Sequence, residues 1–189
     1  MSHHFQARIL ACFAATLLLA AAPAWSADRT VEKSVPLPEH GTFKLNVPAA
    51  WTVEVIQGGA TTPPSIAVRP AKGKAFEIVV APLWRPRPDV PLPTRGSMQE
   101  QLMRGVENIQ PQAVEKEINL IEFQGKTGPG FYFTVTDKAP KPKGYKYMTQ
   151  GLLSVSELLV VFTALSNEGK DRIVRDLITM LKTATHEEK

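Results

Sequence analysis

Between residues 43 and 47 the chain alternates: Phe43, Leu45 and Val47 are apolar, with Lys44 and Asn46 polar between them. A period of two puts one face of a strand on a core and the other in water, so this stretch predicts a strand. The turn "PAAW" (48–51) leads into "TVEVI" (52–56), a second strand. "SIAV" (65–68) and "FEIVV" (76–80) form a further pair, joined by "RPAKGK" (69–74), whose Pro70 and Gly73 mark a hairpin loop. The first half therefore predicts a meander of short strands.

Beyond residue 96 the period changes. Met98, Leu102, Val106 and Ile109 recur at steps of four, four and three, with Met103 beside them, which is the stripe of an amphipathic helix. Ser97 stands three residues before Glu100, the spacing of a capping box, and predicts the helix start there. Pro111 disfavours helical geometry at Gln110 and predicts the end. Four more strands are then expected: "AVEKEINLIEF" (113–123), "GFYFTVT" (130–136), "YKYMTQGLLSV" (145–155) and "LLVVFTAL" (158–165). The last is apolar on both faces, as a central strand covered above and below must be, so a helix layer is expected on each side. Asn167 is a candidate cap for a second helix running to about Lys182, with Ile173, Val174, Leu177, Ile178 and Leu181 on one stripe. Together these elements predict an α/β (α+β) fold, a mostly antiparallel sheet with a central and a C-terminal helix packed on it.

The first residues stand apart from this pattern. Residues 1–8 are polar with one positive charge, and residues 9–22 are an apolar run that reaches the small, helix-breaking "PAWSA". That is the form of a secretory signal peptide, and fourteen apolar residues fall short of the roughly 20 that cross a bilayer. Cleavage after Ser26 sets Ala24 and Ser26 at the small-residue positions, whereas cleavage after Ala27 sets Trp25 at one of them. The reading is a signal peptide at 1–26, cleaved near Ser26 or Ala27, followed by one α/β domain at 27–189 in the periplasm, with no transmembrane segment after cleavage. The sole cysteine, Cys12, lies only four residues after Arg8 with the long apolar run on its wrong side, so it does not fit a lipoprotein site. A mature chain without cysteine has no disulfide, thiolate metal site or cysteine nucleophile.

Charge narrows the partners. Removing Arg8 from 22 basic residues leaves 21 against 18 acidic ones, a net charge of +3. That balance lacks the concentrated basic face of a nucleic-acid-binding protein, so no nucleic acid is expected.

A short strand running into "VPAAW" (47–51), a central helix after a long loop, the glycine-aromatic strand "GPGFYF" (128–133), a long hydrophobic strand and a final helix ending in "MLKTA" (180–184) follow in that order. In this the mature chain resembles the PsbP/DcrB-like family of small secreted α/β proteins. The resemblance implies a PsbP-like sandwich and an accessory or assembly role with a larger partner. It carries over no catalytic residue, and DcrB-like members are often lipoproteins, from which the position of Cys12 departs.

Candidate chemistry is sparse. Of the two mature histidines, His40 sits in "PEHG", read as a turn, and His186 in the polar tail "HEEK"; a triad or zinc site needs residues held by packed surroundings. "QGKT" (124–127) lacks the earlier glycine of a phosphate loop, since Leu120 stands there, and reads as a turn. Glu115 and Glu117 on one strand face would lie roughly 7 Å apart, a separation used by inverting glycosidases. A solvated strand face is the better reading, because no apolar pocket is evident to raise either carboxyl. No Gly-x-Ser-x-Gly elbow occurs. No metal or cofactor is expected.

Surface binding has more to offer. "KAPKPKGYKY" (138–147) carries Lys138, Lys141, Lys143 and Lys146 with Tyr145 and Tyr147, and "RPAKGK" adds Arg69, Lys72 and Lys74. If these loops share one end of the sheet they form a positive patch; otherwise they are lysine-edged hairpin tips that discourage strand pairing. "WRPRPDVPLP" (84–93) offers Trp84, Arg85 and Arg87. Arg85, Pro88 and Pro91 have the spacing of a peptide read by polyproline-binding domains, but a stiff connector over 82–96 explains the prolines more simply. Trp84 would then plug the core. The reading is a monomeric, cofactor-free, non-catalytic binding or accessory protein of the bacterial cell envelope, with partner-binding candidates Trp84, Arg85, Arg87, Lys141, Lys143, Tyr145 and Lys146. Its partner would be an envelope protein or an anionic envelope surface. The alternatives are a small periplasmic hydrolase with an unrecognised site, or a carrier of a small apolar ligand.

Overall fold

The computed structural model describes residues 29–58, 62–87 and 89–189. The leader expected at 1–26, with Cys12, lies outside these residues, as does Pro88. Two sheets form. Strands β1 (Thr30–Pro36), β2 (Thr42–Pro48) and β10 (Thr185–Glu187) make the smaller, in the order β1-β2-β10. The larger has seven strands in the order β3-β4-β5-β9-β8-β7-β6: β3 (Trp51–Ile56), β4 (Ser65–Pro70), β5 (Phe76–Leu83), β6 (Ile121–Gln124), β7 (Pro129–Thr136), β8 (Tyr147–Val155) and β9 (Leu158–Ser166). All neighbours are antiparallel.

The predicted first-half meander is thus divided. β2 does not continue into the sheet that holds β3. It pairs with β1 on one side and with β10 on the other, because Phe43, Leu45 and Val47 are buried in a core that the large sheet shares. The chain changes sheets at Ala49 and Ala50, where the Ala49 N–H donates to Arg29 O at 2.7 Å. Gly41 permits the closure. Its φ is +80°, and a Cβ there would stand 2.0 Å from the Glu187 carbonyl oxygen of β10.

β9 has the central place its composition predicted, between β5 and β8. Leu158, Val160, Phe162 and Ala164 are buried on one face, in a core completed by β2 and by Ile173, Leu177, Met180 and Leu181 of helix α2 (Lys170–Lys182). Leu159 and Val161 point the other way, toward a second core built by Met98, Leu102 and Val106 of helix α1 (Arg95–Ile109) on Phe131, Phe133 and Leu152. The two helices therefore cover opposite faces. Phe162 fits because its neighbour in register is Gly151, where a Cβ would stand 2.3 Å from the Phe162 Cζ.

Four boundaries depart from the sequence reading. α1 begins a turn earlier than Ser97: Thr94 is the cap, extended at φ −81° and ψ 164°, and its Oγ1 accepts from the Ser97 N–H at 3.2 Å. Ser97 is thus inside the first turn, where its hydroxyl donates back to Thr94 O at 3.0 Å. α2 starts after Gly169, which takes the left-handed conformation at φ 63°. Asn167 instead accepts the Lys146 N–H through Oδ1 at 2.9 Å. Finally, residues 113–120 are not a strand. Only 121–124 pairs with β7, and the preceding stretch is held by a bridge between Ala113 and Asp137 and by the Val114 N–H, which donates to Thr136 O at 2.8 Å. The connector is also shorter than expected, since β5 runs through Leu83 and α1 starts at Arg95.

Candidate functional site

Antiparallel registry sorts the candidate residues into two groups. Thr136, Tyr147, Ser166 and Phe76 stand side by side at one end of the large sheet. Val155, Leu158 and Leu83 mark the other end. With a rise of about 3.4 Å per residue along β8, the ends lie roughly 27 Å apart. Trp84, Arg85 and Arg87 follow β5 at the second end, whereas Lys141, Lys143, Tyr145 and Lys146 precede β8 at the first. The structure does not bring the two sets together.

At the second end Trp84 is half-buried against the main core and stacks on His40, with ring centroids 4.4 Å apart and planes inclined by 20°. His186 is not in a loose tail but in β10, with Nε2 2.6 Å from the His40 carbonyl oxygen. Its Nδ1 is buried and has no hydrogen-bond partner among the described residues. Arg85 pairs with Glu157 at 3.2 Å, and Arg87 with Asp89 at 3.3 Å on the exposed surface. These residues line a groove of about 600 Å³ in which the arginines and Lys189 face Glu39, Glu157 and Glu188, so its charges nearly cancel. The meeting of both histidines with Trp84 was invisible in the sequence, because β10 is three residues long and too short to show a period.

The first end has a different character. The 71–75 and 137–146 loops are stitched through Asn167: its N–H donates to Ala75 O at 3.1 Å while its side chain holds the Lys146 amide. The condition set by the sequence, that the two basic loops share one end, is met. Arg69 is an exception to the expected patch, since it is spent on Glu54 at 2.8 Å and Glu77 at 2.6 Å. Lys138 donates to the Pro111 carbonyl at 3.2 Å. Lys146 and Lys170 lie over the Tyr147 ring at 5.3 and 5.4 Å. Lys141 and Lys143 are exposed, held by a tight turn in which Lys143 has φ 67° and the Gly144 N–H donates to Lys141 O at 2.8 Å. Among the described residues none of Lys138, Lys141, Lys143 or Lys146 forms an ion pair. Burial and the nearby Glu77 carboxylate push the Tyr145 hydroxyl above its ordinary value against the opposing Arg69, which keeps it a hydrogen-bond donor.

Below Tyr145 and Tyr147 an apolar slot of about 130 Å³ runs between the end of α1 and the sheet, floored by Ile109, Ala113, Val135, Met148 and Leu165. A shallower depression lined by Lys138 and Lys141 adjoins it, and the two share Gln112, Asp137 and Tyr145.

The carboxylate pair does not have the geometry it would have on a strand. Glu115 accepts from the Thr136 N–H and hydroxyl, both at 2.8 Å. Burial pushes its carboxyl up, but these bonds and the Lys170 ammonium outweigh burial and hold it below the ordinary value of 4.5. It is a charged anchor for the 113–120 segment, the opposite of a general acid. "QGKT" is the β6–β7 turn, closed by Gly125 N–H to Gly128 O at 2.9 Å. Among the described residues no three His, Cys, Asp or Glu side chains are grouped to hold a metal ion, and no helix is long and apolar enough to cross a membrane.

Seven antiparallel strands with one helix on each face and a small sheet closing one core define a PsbP-like α+β fold. No family model matches the chain, and no curated protein matches it. Among solved structures it is similar to cyanobacterial PsbP (CyanoP) from Synechocystis, with a TM-score of 0.54 and 11% identity over 89% of this chain and 99% of that one. It also matches LpqN of Mycobacterium tuberculosis, described as involved in cell envelope biogenesis, at a TM-score of 0.45 and 11% identity over 83% of this chain and 91% of that one. At 11% identity the likeness to cyanobacterial PsbP is one of fold.

Proposed function

We propose that the protein is a secreted, non-catalytic binding or accessory protein of the bacterial cell envelope, and that it docks its partner through the lysine-rich end of the large sheet. The observation that carries this reading is the set of lysines on one ordered loop, Lys138, Lys141, Lys143 and Lys146, none of them ion-paired among the described residues. Charges of one sign within a Debye length of one another raise the local potential and draw in an oppositely charged partner. The signal-like leader supports the location, and Trp84, with its partners His40 and the core, acts as a plug for the connector. Catalysis has less in its favour, because Glu115 is held ionised by Thr136 and the Trp84 groove is of mixed charge. A carrier of a small apolar ligand has less in its favour, because the apolar slot's 130 Å³ is below the about 300 Å³ usual for such pockets and the larger Trp84 groove is of mixed charge.

Co-sedimentation with a bacterial envelope fraction tests the reading. The mature protein should pellet with envelopes at about 50 mM salt and be released at about 0.5 M, where the Debye length falls to a few ångströms. The triple variant Lys141→Gln, Lys143→Gln, Lys146→Gln should stay in solution at both. Retention that ignores both salt and the three substitutions refutes docking through this end.

A further inference from the structure

We propose that the lysine-rich end is a two-part peptide site: the slot takes one apolar side chain of an acidic segment of another protein, and Lys138, Lys141 and Lys146 take the carboxylates flanking it. This rests on the docking reading above and names its partner's chemistry. Size decides the class of partner. A cavity of about 150 Å³ accepts a benzene, so 130 Å³ accepts one leucine-sized or ring-sized group. An acyl chain of a dozen carbons needs several times that volume. A lipid chain that filled the slot would run on into the adjoining depression of about 480 Å³, lined by Lys138, Lys141, Asp137 and Gln112, whereas a peptide side chain ends within the slot.

The arrangement around the slot fits a peptide in three further ways. Lys146 stands at the slot itself and Lys138 and Lys141 line the adjoining depression, so carboxylates on either side of an anchoring residue meet a cation without leaving its neighbourhood. Tyr145 is common to both parts and keeps its proton, so it can donate to a peptide carbonyl. Asp137, also common to both, turns Oδ1 to the Ala139 N–H at 2.9 Å and puts a negative charge beside the slot. It disfavours an acidic residue immediately next to the anchor and favours one a few residues away. The site is set before binding: Asn167 ties the loop to the β9–α2 corner, and a rigid loop loses little entropy on association.

Fluorescence anisotropy with synthetic peptides tests this. The probes are an acidic peptide with one central leucine between glutamates, the same peptide with alanine at the centre, a version with the glutamates replaced by lysines, and phosphatidylglycerol vesicles. The leucine peptide should bind about tenfold more tightly than the alanine peptide, the ratio for burying most of one such side chain, and the lysine peptide should not bind. Ala113→Leu, which fills the slot floor, should abolish the leucine preference while leaving the weak, salt-sensitive binding; Met148→Phe, at a half-buried position, serves the same end if Ala113→Leu fails to fold. Equal affinity for the leucine and alanine peptides, with both weakened by the Lys141→Gln, Lys143→Gln, Lys146→Gln substitutions, overturns the slot but leaves the docking reading standing. Lysine-dependent binding to vesicles with none to peptide overturns it in favour of a membrane surface. Binding to no probe, together with salt-insensitive envelope retention, sinks both.

Discussion

Phe162 is the side chain on which the central strand can be tested most sharply. It is 1% exposed, stands edge-on to Phe123 at a centroid distance of 6.2 Å, and lies over Gly151, its register partner on β8. Phe162→Ala removes a ring from a closed core, and such truncations cost about 3–5 kcal/mol from transfer and residual cavity together. Against a total of about 5–15 kcal/mol for a domain, that is a large part of the stability. At about 2–4 °C per kcal/mol for a chain of this length, melting should fall by roughly 6–20 °C. Gly151→Ala gives the companion measurement. Its Cβ would stand 2.3 Å from Phe162 Cζ and 2.4 Å from the Phe131 carbonyl oxygen, so it is expected to cost about 1–3 kcal/mol alone. In the Phe162→Ala background the ring clash is gone and only the carbonyl clash remains, so the double variant should be more stable than the two losses predict, by about 1 kcal/mol. Urea titrations followed by circular dichroism, with an unchanged slope, give all three values. Losses that add to within about 0.5 kcal/mol would mean that the ring does not occupy the space over Gly151.

Other outcomes follow from the same contacts. Because the Glu115 carboxyl is held below 4.5, its stabilising contribution is full above the unfolded value and is lost as pH falls through the lower folded value; Glu115→Gln should flatten the stability profile below about pH 4.5 and leave a steeper profile only if the Thr136 bonds are absent. Trp84→Ala should lower stability by about 1–3 kcal/mol through lost packing on the core and on His40, whereas Arg87→Ala, an exposed pair with Asp89, should change it by less than about 1 kcal/mol. A Trp84→Ala protein with an unaltered melting curve contradicts the plug. Intact mass of the secreted protein should give an N-terminus at Ala27 or Asp28, and a lipid on Cys12 would defeat that processing.

What the sequence made legible was local. The stripe Met98, Leu102, Val106 declared α1, and the unbroken "LLVVFTAL" declared a strand with a layer on each side, because each signal lies within one element. The errors at helix starts were of one turn or less, where several residues compete: Thr94, placed after Pro93 in an extended conformation, reached the Ser97 amide before Ser97 could cap anything. The 113–120 segment misled because alternation survives in its composition while its backbone is occupied elsewhere. Val114 is 55% exposed, Ile118 is buried, and Glu115 is turned onto β7. The basic end was visible as a run of lysines, but the slot beneath it was not, since Ala113, Val135, Met148 and Leu165 come from separate segments. The pairing of β2 with β10 and the meeting of His40 with His186 span more than a hundred residues, and His40 reaches Trp84 across 44, separations for which no short pattern exists.

The pairing of β10 with β2 sets an order of events. Lys44 bonds Glu187 across 143 positions and His40 meets His186 across 146, while α2 roofs the same core. A chain synthesised from its N-terminal end therefore presents Phe43, Leu45 and Val47 long before their cover arrives. Until α2 and β10 emerge, the larger core has no roof. Synthesis at about 5–20 residues per second is slow beside a folding step of milliseconds to seconds, so the arrival of α2 and β10, rather than the closing itself, sets when this core can form.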